Sequence, residues 1–491
     1  AQADSNLTFG ELKRMDQTEL DEWADEFCTD VTIIWDHEGV PVIGGQSEDN
    51  IIEDFRRLLH ADTKLMERTD ELTGLSNCVE NTFGFGGTCN QFFPTLLKTK
   101  DITSNSLDGP SIYGYFAEEK RRPQFLNAVR KLLQLDPMHS YSKPVKNHDD
   151  FATWRAENPD VKDEQFWLRP RKAPKVGQLT VAAQQIKQLL NDGILATHHV
   201  PAEAPFYSVH TYDPYSRIMD FPRLWRVLFD GSPATNFPPM LAKFIYERFA
   251  IPKKKGEPAI VYDPCAGWGG RILGAMSAAG NPAIHYIGTD PNKDHFMKDL
   301  GQTKYEYLAD YFHANLRPKV KNTYDIFDLG AENIRSDVEF QEYRGKVDLV
   351  FTSPPYFAVE GYSDDDSQSH VRFPSYEEWL DGFLRPFMET AEDWLRTEGY
   401  FCLNIADVRI NQKLLPLQAD ATNIARELGF IQQPDIKMVL KDAPLGSKLT
   451  EQGVPTTRNF CKIHGKTRKF EPILVFQKVI DHNTDWTKAR S

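Results

Sequence analysis

Ala259 to Gly280 reads AIVYDPCAGWGGRILGAMSAAG, a short apolar run, a glycine-rich turn and then apolar residues at helical spacing. The run predicts a buried strand ending at Asp263, and RILGAMSAAG predicts a helix. Glycines at such a turn let the backbone approach a ligand closely. The helix amino terminus presents free N–H groups and a positive dipole end to a carboxylate. The turn, Asp263-Pro264-Cys265-Ala266-Gly267-Trp268-Gly269, is therefore expected to hold a nucleotide-like cofactor.

Outward from this stretch the pattern repeats. HYIGTD (285–290), TYDIFD (323–328), VDLVFTS (347–353) and YFCLNIAD (400–407) are apolar runs that end in polar residues and alternate with helical segments. Buried parallel strands with functional loops at their carboxyl ends look like this. The fold class predicted is α/β, a Rossmann-like doubly wound sheet. FIQQPDIKMVL (430–440) and FEPILVFQK (470–478) are expected to form an antiparallel pair at its edge. Residues 206–491 are assigned to this domain. Residues 1–205, where helical patterns such as IIEDFRRLLHADTKLMERTDEL alternate with Gly- and Asn-rich loops, are assigned to a mainly helical amino-terminal domain. Gln178–Leu190 is expected to form one more helix before the boundary.

At 491 residues the chain has room for two or three domains. No stretch reaches the ~18 apolar residues of a membrane span. No secretory signal opens the sequence, and export is not expected. The six cysteines lie far apart, without a CxxC pair or nearby histidines, which fits a reduced cytoplasm, bacterial or virus-infected, and no zinc site. A net charge of −14 speaks against a polyanion partner when taken alone. Much of the acidity, however, sits in the first sixty or so residues, while basic clusters recur at Glu119–Arg130, Arg169–Lys175, Lys253–Lys255 and Lys462–Lys469. Together they leave room for a basic groove. No internal repeat is present.

Asp290, at the end of the second strand and followed by Pro291, is placed to accept hydrogen bonds from ribose hydroxyls. Asp328, ending the third, is the candidate acceptor for an adenine amino group, with Asp325 and Glu332 as competitors. The fourth strand ends in Ser353-Pro354-Pro355-Tyr356. An amine on a nucleic-acid base is a poor nucleophile because its lone pair is delocalised into the ring. Acceptors aimed at its two hydrogens, here the Ser353 hydroxyl and the Pro354 carbonyl, favour a pyramidal nitrogen. Two prolines hold the loop extended. Tyr356 is positioned to stack on a base swung out of the duplex.

The combination of DPCAGWGG, Asp290 and SPPY, in that order, resembles the S-adenosylmethionine-dependent DNA amino-methyltransferases, which methylate cytosine N4 or adenine N6. The resemblance covers roughly Phe237 to Lys478. It implies S-adenosylmethionine as cofactor and DNA as partner, and assigns Asn236-Phe237-Pro238 to the cofactor's methionine part. Ser353 at the first motif position resembles the cytosine-N4 subgroup, since the adenine-N6 subgroup usually carries Asp or Asn. Cys265 and Trp268 depart from the common DPFAGSG. Target recognition is expected from residues 1–205, helped by segments 441–469 and 357–373. The run Asp364–Asp366 with His370 is read as a solvated loop and not a metal site, because the reaction needs no metal. Two other readings are an enzyme acting on an RNA base amine or a protein amide, and an inert nucleic-acid mimic. A nuclease fusion is a third: Pro159-Asp160 could begin its signature, but no matching E-x-K follows.

Overall fold

The computed structural model describes residues 9–38, 48–81, 83–101, 111–134, 139–145, 148–160, 166–170, 207–212, 235–279, 283–355, 357, 360–361, 372–410, 413–440 and 459–479. Among these, residues within Ala1–Ile34 and Tyr115–Asp230 form one compact unit, and those within Trp35–Gly114 and Gly231–Ser491 form the other. This differs from a single division after residue 205.

The first unit is mainly helical. Its longest helix, Gln17–Glu38, begins where Asp16 and Glu19 exchange side-chain-to-backbone hydrogen bonds, satisfying two donors the helix itself leaves open. Trp23, Phe27, Phe116 and Phe125 pack as its aromatic core, with Trp23 and Phe27 stacked at 5.0 Å. A small antiparallel sheet is added, in which Tyr207–Tyr212 lies between His139–Val145 and Phe166–Pro170. That pairing draws residues 207–212 into this unit, past the expected boundary. The predicted helix at Gln178–Leu190 lies outside the described residues.

The second unit is built on a ten-stranded sheet. In chain order its strands are β1 (Glu67–Arg68), β2 (Cys78–Glu80), β3 (Ala259–Asp263), β4 (Ile284–Thr289), β5 (Thr323–Phe327), β6 (Val347–Thr352), β7 (Leu395–Asn404), β8 (Phe430–Val439), β9 (Phe460–Ile463) and β10 (Lys466–Lys478). Across the sheet the order is β1-β2-β8-β10-β7-β6-β3-β4-β5, with β9 on β10. The run β7-β6-β3-β4-β5 is parallel, and β10 is antiparallel to both β7 and β8. Every residue of β6 is buried, so Asp348 within it needs partners: Arg396 at 2.6 Å and the Ile260 N–H at 2.9 Å.

The predicted antiparallel pair is present as β8 and β10, but it is not the edge. β2 adds to β8 in parallel and carries β1 beyond it. Asp70, fully buried between the two short strands, pairs with Lys437 of β8 and accepts the Lys462 N–H of β9. The helix Glu48–His60 likewise buries Phe55 and Leu58 in a core shared with Met240, Leu273 and Leu308. Residues 48–101 are thus part of the α/β unit. Their alternation with loops resembles that of the other helical segments, so no local signal separates them.

Candidate active site

Strand order reverses between β3 and β6, and the crevice beyond their carboxyl ends is where open α/β sheets bind ligands. Both candidate loops start there. Asp263 closes β3 with no exposed surface. Its carboxylate accepts Arg271 Nε at 2.8 Å, the Tyr286 hydroxyl at 2.7 Å, the Thr352 hydroxyl at 2.8 Å and the Cys265 N–H at 3.3 Å. With these donors satisfied internally, Asp263 shapes the loop. Arg271 also donates to the Cys265 carbonyl, and the Thr352 hydroxyl accepts a second bond from the Cys265 N–H at 3.2 Å. Thr352 ends the strand that runs into Ser353, so the glycine loop and the SPPY loop share one buried ionic node.

The loop itself is a close fit. Gly267 and Gly269 have φ of 64° and 78°, a region that L side chains rarely adopt. A Cβ on Gly269 would lie 2.3 Å from the Phe93 ring, and one on Gly270 would lie 1.9 Å from the Phe237 carbonyl oxygen. The Pro264 carbonyl accepts the Thr289 hydroxyl at 2.7 Å, and the Ala266 N–H bonds the Thr289 carbonyl at 3.0 Å. Asn236 accepts the Gly270 N–H at 3.3 Å and donates to the Trp268 carbonyl at 2.6 Å. One of the helix-terminal donors expected to face a ligand is therefore already used. Phe237 packs edge-on against Phe351 at 5.3 Å, and Pro238 caps the helix Pro239–Phe249.

Asp290 follows β4, with Pro291 half-buried after it. It accepts the Gly267 N–H at 3.1 Å, the Asn292 N–H at 2.9 Å and the Tyr305 hydroxyl at 3.0 Å. Burial dominates and pushes its carboxyl up to about 6 despite these donors. Asp328 is exposed just beyond β5 and is raised by burial first and by the charge of Asp290 second. Its two competitors are engaged elsewhere: Asp325 by Tyr343 and His285, Glu332 by Arg372. Asp328 accepts no hydrogen bond among the described residues.

The raised carboxyl of Asp290 carries a prediction. A carboxyl whose pKa is higher folded than unfolded adds stability at low pH, and that stability is lost as pH rises through about 6. This group is therefore expected to make the ligand-free protein less stable at pH 8 than at pH 4, and Asp290→Asn to lack that part of the pH dependence. The same change in melting temperature between pH 5 and 7 in the parent and in ligand-free Asp290→Asn would refute the raised carboxyl.

Ser353 and Pro355 are partly exposed and Pro354 is buried. Phe357 anchors the far side of the loop, 8% exposed and edge-on to Tyr376 at 5.6 Å. Tyr356, Asp364–Asp366 and His370 lie outside the described residues. Immediately downstream, Glu360–Gly361 pairs with Lys100–Asp101 of the amino-terminal segment as a two-stranded ribbon. A cavity of about 720 Å³ lined by Ile251, Lys253, Arg344 and Arg396 lies at the opposite end of the sheet and includes none of the candidate residues.

Arg271, Tyr286, Thr289, Thr352 and Tyr305 were not candidates from sequence. They act on the loops from a turn or a strand away, and the one signal that could have found any of them is the Arg271 charge inside an otherwise apolar helix. The basic clusters are also less available than their composition implies. Arg122 pairs with Asp25 at 2.7 Å, Arg130 with Asp21 at 3.3 Å, Lys254 with Glu257 at 3.4 Å and Arg468 with Glu80 at 3.5 Å. The pairs of Arg130 and Lys254 are exposed and contribute only about 0.2–1 kcal/mol each, whereas Arg122 and Arg468 are largely enclosed.

Residues 347–490 match the family described as DNA methylase, N6_N4_Mtase. Over 90 residues, 18% of the chain, the sequence is 33% identical to the type II methyltransferase M.MjaVI of Methanocaldococcus jannaschii. The match spans 43% of that relative's length. Among solved structures, one described as a DNA modification methylase from Thermus thermophilus, complexed with S-adenosyl-L-methionine, is 21% identical over 33% of this chain and 57% of its own, with a TM-score of 0.21. An S-adenosylmethionine-dependent methyltransferase from Methanosarcina mazei is 10% identical over 50% of this chain and 100% of its own, with a TM-score of 0.28. No helix among the described residues is long and apolar enough to cross a membrane. The segment that carries SPPY at the end of β6 is thus similar to DNA methylases over residues 347–490, and the chain spans less than half the length of the curated relative it matches.

Proposed function

We propose that this chain transfers the methyl group of S-adenosylmethionine to the exocyclic amine of a base in DNA, cytosine N4 in preference to adenine N6. The observation that carries the reading is the Asp263 node. Through Thr352 and Cys265 it ties the amine-directed loop to the glycine loop, so the two halves of a transfer site are held in fixed relation. The residues fit the cofactor. Its ribose hydroxyls would meet Asp290, its adenine amino group Asp328, and its methionine part the segment Asn236-Phe237-Pro238, which packs directly on the glycine loop. When bound, the cofactor supplies an electrophilic methyl on sulfonium sulfur.

The chain's own task is to prepare the amine. Ser353 Oγ and the Pro354 carbonyl accept its two hydrogens, which turns the nitrogen lone pair outward. Tyr356 holds the base by stacking. The methylated amine is acidic enough to release its extra proton to water, so no strong base is required. Cytosine is favoured on Ser353 alone. Target recognition falls to the mainly helical unit and to segments 357–373 and 441–469. Six cysteines without a disulfide fit a reducing cytoplasm.

Tritiated methyl transfer assayed on DNA, RNA and protein in parallel tests the acceptor. Label is expected in DNA, and label only in RNA or protein would overturn the proposal. Tyr356→Ala is expected to lower turnover on the order of 100-fold by losing the stacked, positioned base. Its affinity for cofactor should stay near that of the parent. A variant that loses cofactor but turns over normally when saturated would mean that Tyr356 has been given the wrong role.

A further inference from the structure

We propose that Thr95, from the amino-terminal segment that joins the α/β unit, is a positioning residue for the cofactor site, acting through His295 and Tyr305 on Asp290. The proposal rests on the reading of Asp290 as the acceptor for ribose hydroxyls. Thr95 Oγ1 lies 2.9 Å from His295 Nε2, and His295 Nδ1 lies 2.8 Å from the Tyr305 hydroxyl. That hydroxyl lies 3.0 Å from Asp290 Oδ2 and also within hydrogen-bond reach of the Gly267 carbonyl. Thr95, His295 and Tyr305 are 8%, 3% and 1% exposed, so water does not substitute for any link.

Counting protons gives the chain a direction. An ionised Asp290 and the Gly267 carbonyl only accept, so the single Tyr305 proton goes to one of them. The Tyr305 oxygen must then receive a proton from His295 Nδ1. Burial, and next the charge of Lys304, push the His295 ring down to about 3, so the ring is neutral and has one proton to place. With it on Nδ1, bare Nε2 accepts the Thr95 hydroxyl. The ionised carboxylate is a stronger acceptor than the Gly267 carbonyl, so the Tyr305 proton goes to Asp290 and each donor points toward it; Thr95 selects the tautomer that makes this possible. Without that hydroxyl the ring is free to carry its proton on Nε2, and bare Nδ1 then takes the Tyr305 proton away from Asp290.

Phe93, two residues before Thr95, holds both rings: it meets His295 edge-on at 5.3 Å and Tyr305 at 5.0 Å. The remaining groups around Asp290 do not replace the relay. Asp263 and Asp328 are like charges and oppose its ionisation, Lys293 faces Asp328, Cys265 is an uncharged thiol, and the Gly267 and Asn292 N–H groups are fixed donors.

The first test needs no ligand. Nitrogen-15 NMR of the full chain labelled at histidine, with His295 identified by His295→Gln, is expected to show a neutral ring from about pH 5 to 8, with its proton on Nδ1 above about pH 6, where Asp290 is ionised. Thr95→Ser should keep that tautomer and Thr95→Val should shift it toward Nε2–H. A wild-type Nε2–H ring, or an unchanged ring in Thr95→Val, overturns the relay. The second test titrates S-adenosylmethionine by calorimetry over the same pH range. Thr95→Val should bind roughly 3- to 10-fold more weakly at pH 7, the loss of about one net hydrogen bond. Its acid limb of binding should move to higher pH, and Thr95→Ser should restore both. A loss equal at every pH would reflect packing alone and overturn the relay. If the wild type fails to bind S-adenosylmethionine, the functional proposal falls while the tautomer still decides the relay.

Discussion

Arg271→Leu is expected to destabilise the α/β unit by about 3–5 kcal/mol, the cost of leaving a buried charge without its partner. Arg271 is 4% exposed and Asp263 fully buried, and their 2.8 Å ion pair lies beneath the glycine loop. Removing the guanidinium leaves the carboxylate with the hydroxyls of Tyr286 and Thr352 and one backbone N–H, none of which carries charge. The Cys265 carbonyl loses its donor as well. Denaturant unfolding of the full chain measures the effect as a lower midpoint for the transition of this unit. Because the two residues form one network, Arg271→Leu combined with Asp263→Asn should cost less than the sum of the single changes. Simple additivity, or a loss below about 1 kcal/mol for Arg271→Leu, would mean that the node is not a buried charge pair.

Gly270→Ala should leave most of the fold standing and disable the site. Its Cβ would lie 1.9 Å from the Phe237 carbonyl oxygen and 2.7 Å from Asn236 Oδ1. Phe237 O is backbone and cannot rotate away, so the Asn236-Phe237-Pro238 segment must separate from the glycine loop. A displacement of an ångström at a positioned site costs on the order of 100-fold in rate. Strain of this kind costs about 1–3 kcal/mol in stability. Gly87→Ala is the control, since nothing lies within 4 Å of its Cβ. Methyl transfer at parental rate by Gly270→Ala would show that the close approach of these segments is not needed.

Much of the site was legible because its residues sit at strand ends, where a buried apolar run followed by a charged or glycine-rich turn is an unambiguous pattern. Asp263, Asp290, Asp328 and Ser353 all follow predicted strands, and the strands lie where the apolar runs are. Less legible were residues whose role depends on a partner distant in sequence. Thr352 reads as one more strand residue until Asp263 is seen 2.8 Å away. Tyr305 and His295 read as ordinary core residues, which they also are. The amino-terminal segment was the largest omission. β1 and β2 have two and three residues, too short for a period to register, and Asp70 between them resembles any turn aspartate until Lys437 neutralises it. Pairing across more than three hundred residues leaves no local trace.

The central claim is that the glycine loop and the SPPY loop together direct a methyl group to a base amine in DNA. Nucleoside mass spectrometry after incubating unmethylated DNA with the purified protein and S-adenosylmethionine tests it most directly, since it names the base and the added group at once. N4-methylcytosine is the result predicted. N6-methyladenine would retain the enzyme and correct the base, whereas 5-methylcytosine, or DNA without any new methylated nucleoside, would contradict the account.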